Sequence, residues 1–232
     1  MDGSGKHGAK MMANDRMFRA MVEDEPLQFL AEAEQTMAMS AVAKRWTGSE
    51  VRALIEANPL HTPRYELIDG ELLVTPGPNF DHQAAVKQLM LALARYLDTE
   101  RVGEVCFSPF DIELENESLV QPDVFVIPPL PVPRPRKIRQ LKELLLAIEV
   151  ISPSSARGDR VKKRLYYARN RVPEYWVVDL DARVFERSTP DESRPEVLTE
   201  SISWHPARAI RPLTIDLPQF FRDVLGEAIP TD

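Results

Sequence analysis

Val120-Gln121-Pro122-Asp123-Val124-Phe125-Val126-Ile127 and Leu144-Leu145-Leu146-Ala147-Ile148-Glu149-Val150-Ile151 decide how this chain is read. Both runs are apolar and rich in β-branched residues, the pattern of strands buried on both faces. Each carries one carboxylate, Asp123 in the first and Glu149 in the second. A carboxylate in a buried strand is costly unless a positive group meets it. Two of them on neighbouring strands suggest a shared cation, most simply a divalent metal.

Between the two runs, Pro128 to Arg136 alternates prolines, which forbids a helix or central strand and favours an extended loop. Arg134, Arg136, Lys137, Arg139 and Lys142 make that loop basic. Downstream, Ser154 or Ser155 is the expected cap of a basic helix over Arg157–Arg171. In it Val161, Leu165 and Ala168 share one face, while Lys163 and Tyr167 lie nearly opposite. Tyr175 to Leu180 reads as another core strand. A meander pair follows over Ala182–Ser188 and Glu196–Glu200, then a strand over Leu213–Leu217 and a closing helix over Gln219–Leu225.

Upstream, Thr47 with Glu50 three residues later forms a capping box for a short helix that stops at Asn58-Pro59. Tyr65–Ile68 and Glu71–Thr75 flank Asp69-Gly70, the strongest short-range hairpin signal. Asp81 is the expected cap of a long helix to about Arg101, with Val86, Leu89, Met90, Leu93 and Leu97 at helical spacing. Strands are predicted over Glu104–Phe110 and Asp111–Glu115. The sum is a mixed α/β (α+β) domain, a central mixed sheet with helices on its faces. It spans residues 45–232. Residues 1–44, rich in Met and Ala, read as a poorly ordered extension. Translation from Met37 or Met39 is one explanation for them, which a natural peptide spanning Phe18–Glu34 would end.

The chain has 232 residues, 44% of them hydrophobic, a net charge of −7 and a single cysteine, Cys106. One cysteine excludes an internal disulfide and a cysteine metal cage. The acidic balance argues against a nucleic-acid coat protein but leaves room for a local basic patch. No apolar run is long enough to cross a membrane. No signal peptide is legible, so a cytoplasmic location is expected.

Asp123, Glu149 26 residues later and Lys163 a further 14 on form the chemical constellation. Two strand carboxylates make a hard-oxygen site suited to Mg2+ or Mn2+, and a nearby lysine can orient a water or meet developing charge. Each residue alone has a bland reading: Asp123 as a strand end, Glu149 as an arginine partner, Lys163 as a solvated surface lysine. The neighbouring Lys162 is a rival to Lys163. Ser152, Ser154 and Ser155 lack a nucleophile elbow.

The ordered set Arg64-Tyr65-Glu66-Leu67-Ile68-Asp69-Gly70-Glu71-Leu72, Asp81-His82-Gln83, Val120-Gln121-Pro122-Asp123-Val124, Glu149 to Ser155, Asp159, Lys163, Tyr167-Ala168 and Val172 to Asp179 resembles the Uma-type putative restriction endonucleases of the PD-(D/E)XK nuclease superfamily. The resemblance covers roughly residues 45–225. It implies a restriction-endonuclease-like core and a metal held by Asp123, Glu149 and the backbone carbonyl of Val150. The usual motif places lysine two residues after the glutamate, where this chain has Ile151; the match is displaced to Lys163. Glu71 resembles the extra acidic residue such nucleases place near the metal, and a surface carboxylate is an equal reading. His82 and Tyr167 are accessory candidates. Arg136, Lys137, Arg160 and Lys162 are candidates for a phosphate-binding rim.

The expected function is metal-dependent cleavage of DNA, with a homodimer if both strands are cut. The alternatives are an inactive nucleic-acid-binding or interaction module on the same fold, and hydrolysis of another phosphoester.

Overall fold

Helix α1 (Gly48–Glu56) starts as the sequence predicts. Thr47 Oγ1 accepts from the Glu50 N–H, and the Thr47 N–H donates to Glu50 Oε2 at 2.9 Å. Strands β1 (Arg64–Ile68) and β2 (Glu71–Thr75) pair antiparallel. Asp69 and Gly70 both have positive φ, 54° and 76°, as a primed turn requires. Leu67 bridges Leu119, so the hairpin is tied to the segment that leads into Asp123. The computed structural model describes residues 44–115, 117–131, 133, 141, 143–151, 156 and 158–227. The expectations placed on residues 1–43, on Arg136 and Lys137, and on a Ser154 or Ser155 cap lie outside the described residues.

Helix α2 (Phe80–Glu100) begins two residues earlier than an Asp81 cap would place it. Its cap is Asn79, whose side chain accepts from the His82 N–H at 2.8 Å; Asp81 falls in the first turn, where a carboxylate still suits the helix dipole. Ala85, Leu89, Leu93, Tyr96 and Leu97 are its buried residues. The chain then reverses through Arg101 in the left-handed conformation. Gly103 passes so close to the sheet that an added Cβ would lie 2.7 Å from the Ile127 carbonyl; that approach, rather than helix termination, is what requires glycine there.

The main sheet has six strands in the order β3 (Glu104–Phe107), β4 (Val124–Ile127), β5 (Leu146–Ile151), β6 (Tyr175–Asp179), β7 (Val184–Ser188), β8 (Glu196–Leu198). The β5–β6 pair is parallel and the other neighbours are antiparallel, so the mixed sheet read from sequence is present. Two details differ. β3 ends at Phe107 rather than Phe110, because Pro109 has no N–H to extend the ladder. The expected strand at 111–115 is only a bridge between Ile112 and Val120. A separate pair, β9 (Ser201–Trp204) and β10 (Leu213–Asp216), precedes helix α4 (Leu217–Leu225). Asp216 caps α4 by accepting from the Gln219 N–H at 2.7 Å.

Strand alternation sorts the core. Val124, Val126, Ile148, Val150, Trp176 and Val178 belong to the layer under α2 and α4. Phe125, Ile127, Ala147, Ile151, Tyr175 and Val177 belong to the opposite layer, with Tyr166 and Tyr167. Glu149 therefore points into the second layer, among aromatic rings. The basic segment after β5 is not one regular helix: Gly158–Lys163 is π-helical and continues as α3 (Arg164–Arg169). Its Val161 and Leu165 are about half exposed, at 48% and 52%, while Asp159, Lys163, Tyr166 and Tyr167 turn inward. The apolar pair faces out because the polar face has charge partners inside.

Candidate active site

The β4–β5 register pairs Val124 with Ile148, so one step further along the ladder sets Asp123 opposite Glu149. The two acids thus meet across adjacent interior strands, and the Val150 N–H donates to Asp123 Oδ2 at 2.8 Å. Both are buried, at 3% and 1% exposure, yet their surroundings differ in sign.

Asp123 is surrounded by donors. Arg64 Nη1 lies 2.7 Å from Oδ1 and His82 Nε2 lies 3.1 Å from Oδ2. Arg64 is delivered by β1 and also reaches the Gln121 carbonyl at 3.2 Å. Burial alone would push the Asp123 carboxyl up. The His82 hydrogen bond, the Arg64 guanidinium and the Val150 N–H outweigh it and hold the acid well below the usual carboxylate range. Arg64 is in turn raised: burial opposes its charge, but Asp123, Glu149 and Glu66 prevail.

Glu149 sits in an acidic knot. Lys163 Nζ lies 2.9 Å from Glu149 Oε1, 2.8 Å from Glu66 Oε2 and 3.1 Å from Asp159 Oδ1. The Glu66 contact lacks hydrogen-bond direction, so it acts through charge. Glu66 Oε1 accepts the Gln121 N–H at 2.7 Å, joining the hairpin to the Pro122-Asp123 turn. Burial raises Glu149 well above the ordinary value; Lys163 opposes this, while Asp159, Asp123 and Glu66 add to it. Burial works against the Lys163 charge, but the carboxylates of Asp159, Glu149 and Glu66 overcome it and raise the ammonium. Tyr167 Oη is buried beside this cluster with no hydrogen-bond partner.

A cavity of about 560 Å³ opens at the Asp123 end of the strands, and Asp123, Arg64, His82 and Val150 line it. Glu149, Lys163 and Glu66 are not among its lining residues; they stand behind it. The structure therefore brings Asp123, Glu149, Val150, His82, Lys163 and Tyr167 into one region. It separates the rival lysines: Lys163 is 1% exposed, whereas Lys162 is at the surface in an ion pair with Glu71.

Glu71 is not brought to the site. It directly follows the turn, its side chain is 60% exposed, and the acid β1 sends inward is Glu66. Strand alternation could have found Glu66, since Glu66 and Ile68 share a face. Arg160 is taken up by Asp179 and Glu186, each at 2.6 Å, which leaves it little free charge for a phosphate rim. Glu71→Ala is expected to leave stability within ~0.5 kcal/mol, as for an exposed ion pair. A thermal melt checks this, and a loss as large as that expected for a buried charge would return Glu71 to the buried cluster.

Among the described residues no three His, Cys, Asp or Glu side chains converge as a ready-made cation site. The donor set still fits a hard divalent ion. It offers one carboxylate kept ionised at a cavity wall, a second across the ladder from it, and the Val150 backbone between them. No helix of the described residues is long and apolar enough to cross a membrane.

Residues 53–217 match the family model Uma2, described as "Putative restriction endonuclease". Among solved structures, the chain is similar to a putative nuclease of the DUF820 group from Anabaena variabilis ATCC 29413. That likeness has a TM-score of 0.60 at 18% identity and covers 70% of this chain and 92% of that one. It shows the fold. The type IIG restriction endonuclease BpuSI also matches, at a TM-score of 0.33 and 16% identity over 64% of this chain and 16% of that one. No curated protein matches.

Proposed function

The chain belongs to the Uma2 family of putative restriction endonucleases, and from that premise we propose that it is a divalent-metal-dependent endonuclease acting on DNA. The observation that carries this reading is the pairing of Asp123, ionised at the wall of a cavity, with Glu149 directly across the ladder.

Asp123, Glu149 and the Val150 carbonyl would hold the ion. Such an ion neutralises charge on a phosphate and makes its bound water a better nucleophile. Arg64 keeps Asp123 charged and fixed in orientation. His82, whose Nδ1 is buried without a partner, holds the other oxygen from the start of α2. Lys163 balances the carboxylates around Glu149 and so keeps that acid within reach of a cation. The sequence cast Lys163 as a group that orients the attacking water or meets developing charge; its enclosure by Glu149, Glu66 and Asp159 favours a charge-balancing role instead.

Plasmid DNA with Mg2+ tests the reading. The protein is expected to nick or linearise it, EDTA to stop the reaction, and Asp123→Ala to slow it at least about 10²–10³-fold, the usual loss when one electrostatic stabiliser is removed. Equal cleavage by the protein, Asp123→Ala and Glu149→Ala would reject the assignment. Duplex DNA binding by a metal-blind protein would favour the inactive module.

A further inference from the structure

Phosphodiester hydrolysis needs a positive group on the phosphate besides the ion, because charge gathers on the phosphoryl oxygens in the transition state. Of the described candidates for that group, none reaches the cavity. Lys163 is enclosed by three carboxylates, Lys162 is paired with Glu71, and Arg160 is held by Asp179 and Glu186. Among the described residues, the one lysine or arginine that lines the cavity is Arg64. Its side chain is 15% exposed, so it is buried but not sealed from the cavity. Nη1 lies 2.7 Å from Asp123 Oδ1, 3.2 Å from the Gln121 carbonyl and 3.5 Å from Ser108 Oγ. The Val150 N–H and His82 Nε2 both meet the other oxygen, Oδ2. Oδ1 is therefore the oxygen open to an ion on the protein's side, and among the described residues the group seated on it is a guanidinium. A dication and a guanidinium sharing one oxygen repel each other in a poorly solvated site.

We propose, building on the nuclease reading, that Arg64 is a catalytic residue with two positions. It holds Asp123 Oδ1 before the ion binds, and it turns to the phosphate of the strand being cut once the ion has taken that oxygen. The guanidinium suits both positions, since its planar fork matches carboxylate and phosphate alike and stays charged throughout. The Gln121 carbonyl and Ser108 Oγ, already within 3.5 Å of Nη1, offer it partners as it leaves Asp123. Asp81 and Asp181 line the same cavity, so a phosphate there needs Arg64 as well as the ion. In the hydrolysis a water oxygen bonds to phosphorus, one ester P–O bond breaks, and the proton shed by the water ends on the departing oxygen. Arg64 donates to the phosphoryl oxygens where charge gathers and exchanges no proton. The consequence is a split of effects. Seated on Asp123, Arg64 lowers the affinity for the ion, because the ion-competent state is then a minor one; seated on the phosphate, it raises the rate.

The test is calorimetric titration of the full chain with Mn2+ at pH 8, without DNA, beside plasmid cleavage at saturating Mn2+. Arg64→Gln, which removes the charge but keeps an amide donor, is expected to bind Mn2+ at least about 5-fold more tightly than the parent. It is expected to cut about 10²–10³-fold more slowly, with Arg64→Lys between the two on both measures. Adding Asp123→Ala to Arg64→Gln is expected to abolish the tighter binding. A residue that merely orients Asp123 gives the opposite sign, so Mn2+ binding by Arg64→Gln equal to or weaker than the parent's would overturn the proposal. Cleavage by Arg64→Gln within threefold of the parent would do the same. Should Arg64→Gln not fold, Mn2+-soaked crystals of the parent decide: the expected result is an ion on Asp123 with Nη1 beyond about 3.5 Å from Oδ1. An ion on Asp123 with Arg64 still seated would overturn the two-position role and leave the nuclease reading standing. A parent that neither binds Mn2+ nor cuts DNA would overturn both.

Discussion

Replacing Lys163 with methionine is expected to lower the free energy of unfolding by about 3–5 kcal/mol, the cost of stripping the partner from a buried charge. For a domain of this size that corresponds to roughly 6–20 °C in melting temperature. The reason is arithmetic of charge. One ammonium faces Glu66, Glu149 and Asp159 at 2.8–3.1 Å, all within a few per cent of complete burial. Without it, those carboxylates repel one another in a poorly solvated interior. Lys162→Met, one residue away at the surface, is expected to change stability by less than ~0.5 kcal/mol. A thermal melt of both variants checks the pair; equal shifts would mean that the enclosure of Lys163 contributes nothing. Adding Glu149→Gln to Lys163→Met is expected to recover at least about 1 kcal/mol, since the two sites share one contact.

Glu149→Gln alone is expected to separate activity from stability. Cleavage should fall by at least about 10²-fold, yet the folded state should gain stability near neutral pH, because burial opposes the Glu149 charge and glutamine carries none. The sign follows from linkage. Glu149 is raised in the folded protein, so its contribution to stability is fully present below its unfolded value and is lost as pH rises through the folded one. Glutamine does not titrate, so the variant's advantage should be largest at pH 7–8 and shrink as the pH falls toward the ordinary carboxylate range. Asp123 behaves oppositely. Its folded value is depressed, so it stabilises above the ordinary carboxylate range and loses that contribution only in strong acid. Chemical denaturation in EDTA measures the Glu149 effect between pH 4 and 8 and the Asp123 effect only below that range; a Glu149→Gln variant less stable than the parent at pH 8 would contradict the assigned surroundings of Glu149.

The frame of the fold was legible because local signals agreed with it. Asp69-Gly70 forms its turn with both residues at positive φ, and Thr47 with Glu50 forms the capping box. The apolar runs around Asp123 and Glu149 are neighbouring central strands. What was not legible was decided by tertiary contact. The segment at 157–171 has a helical apolar stripe, but the face carrying Asp159, Lys163 and Tyr167 turns inward because Glu66 and Glu149 await a cation there. That arrangement depends on β1 being tied to the Pro122-Asp123 turn through Glu66 and Gln121, a contact between residues far apart in sequence. Arg64 was missed for the same reason. Nothing in its neighbourhood in the chain shows that it will close on Asp123. Glu71 was chosen for its place after the turn, but alternation along the hairpin sends Glu66 inward instead.

The most direct measurement is diffraction from crystals soaked in Mn2+, with anomalous scattering locating the ion. One peak within about 2.1 Å of a carboxylate oxygen of both Asp123 and Glu149 is the expected result. No peak there, with Arg64 still seated on Asp123 and Lys163 on Glu149, would contradict the shared-cation reading.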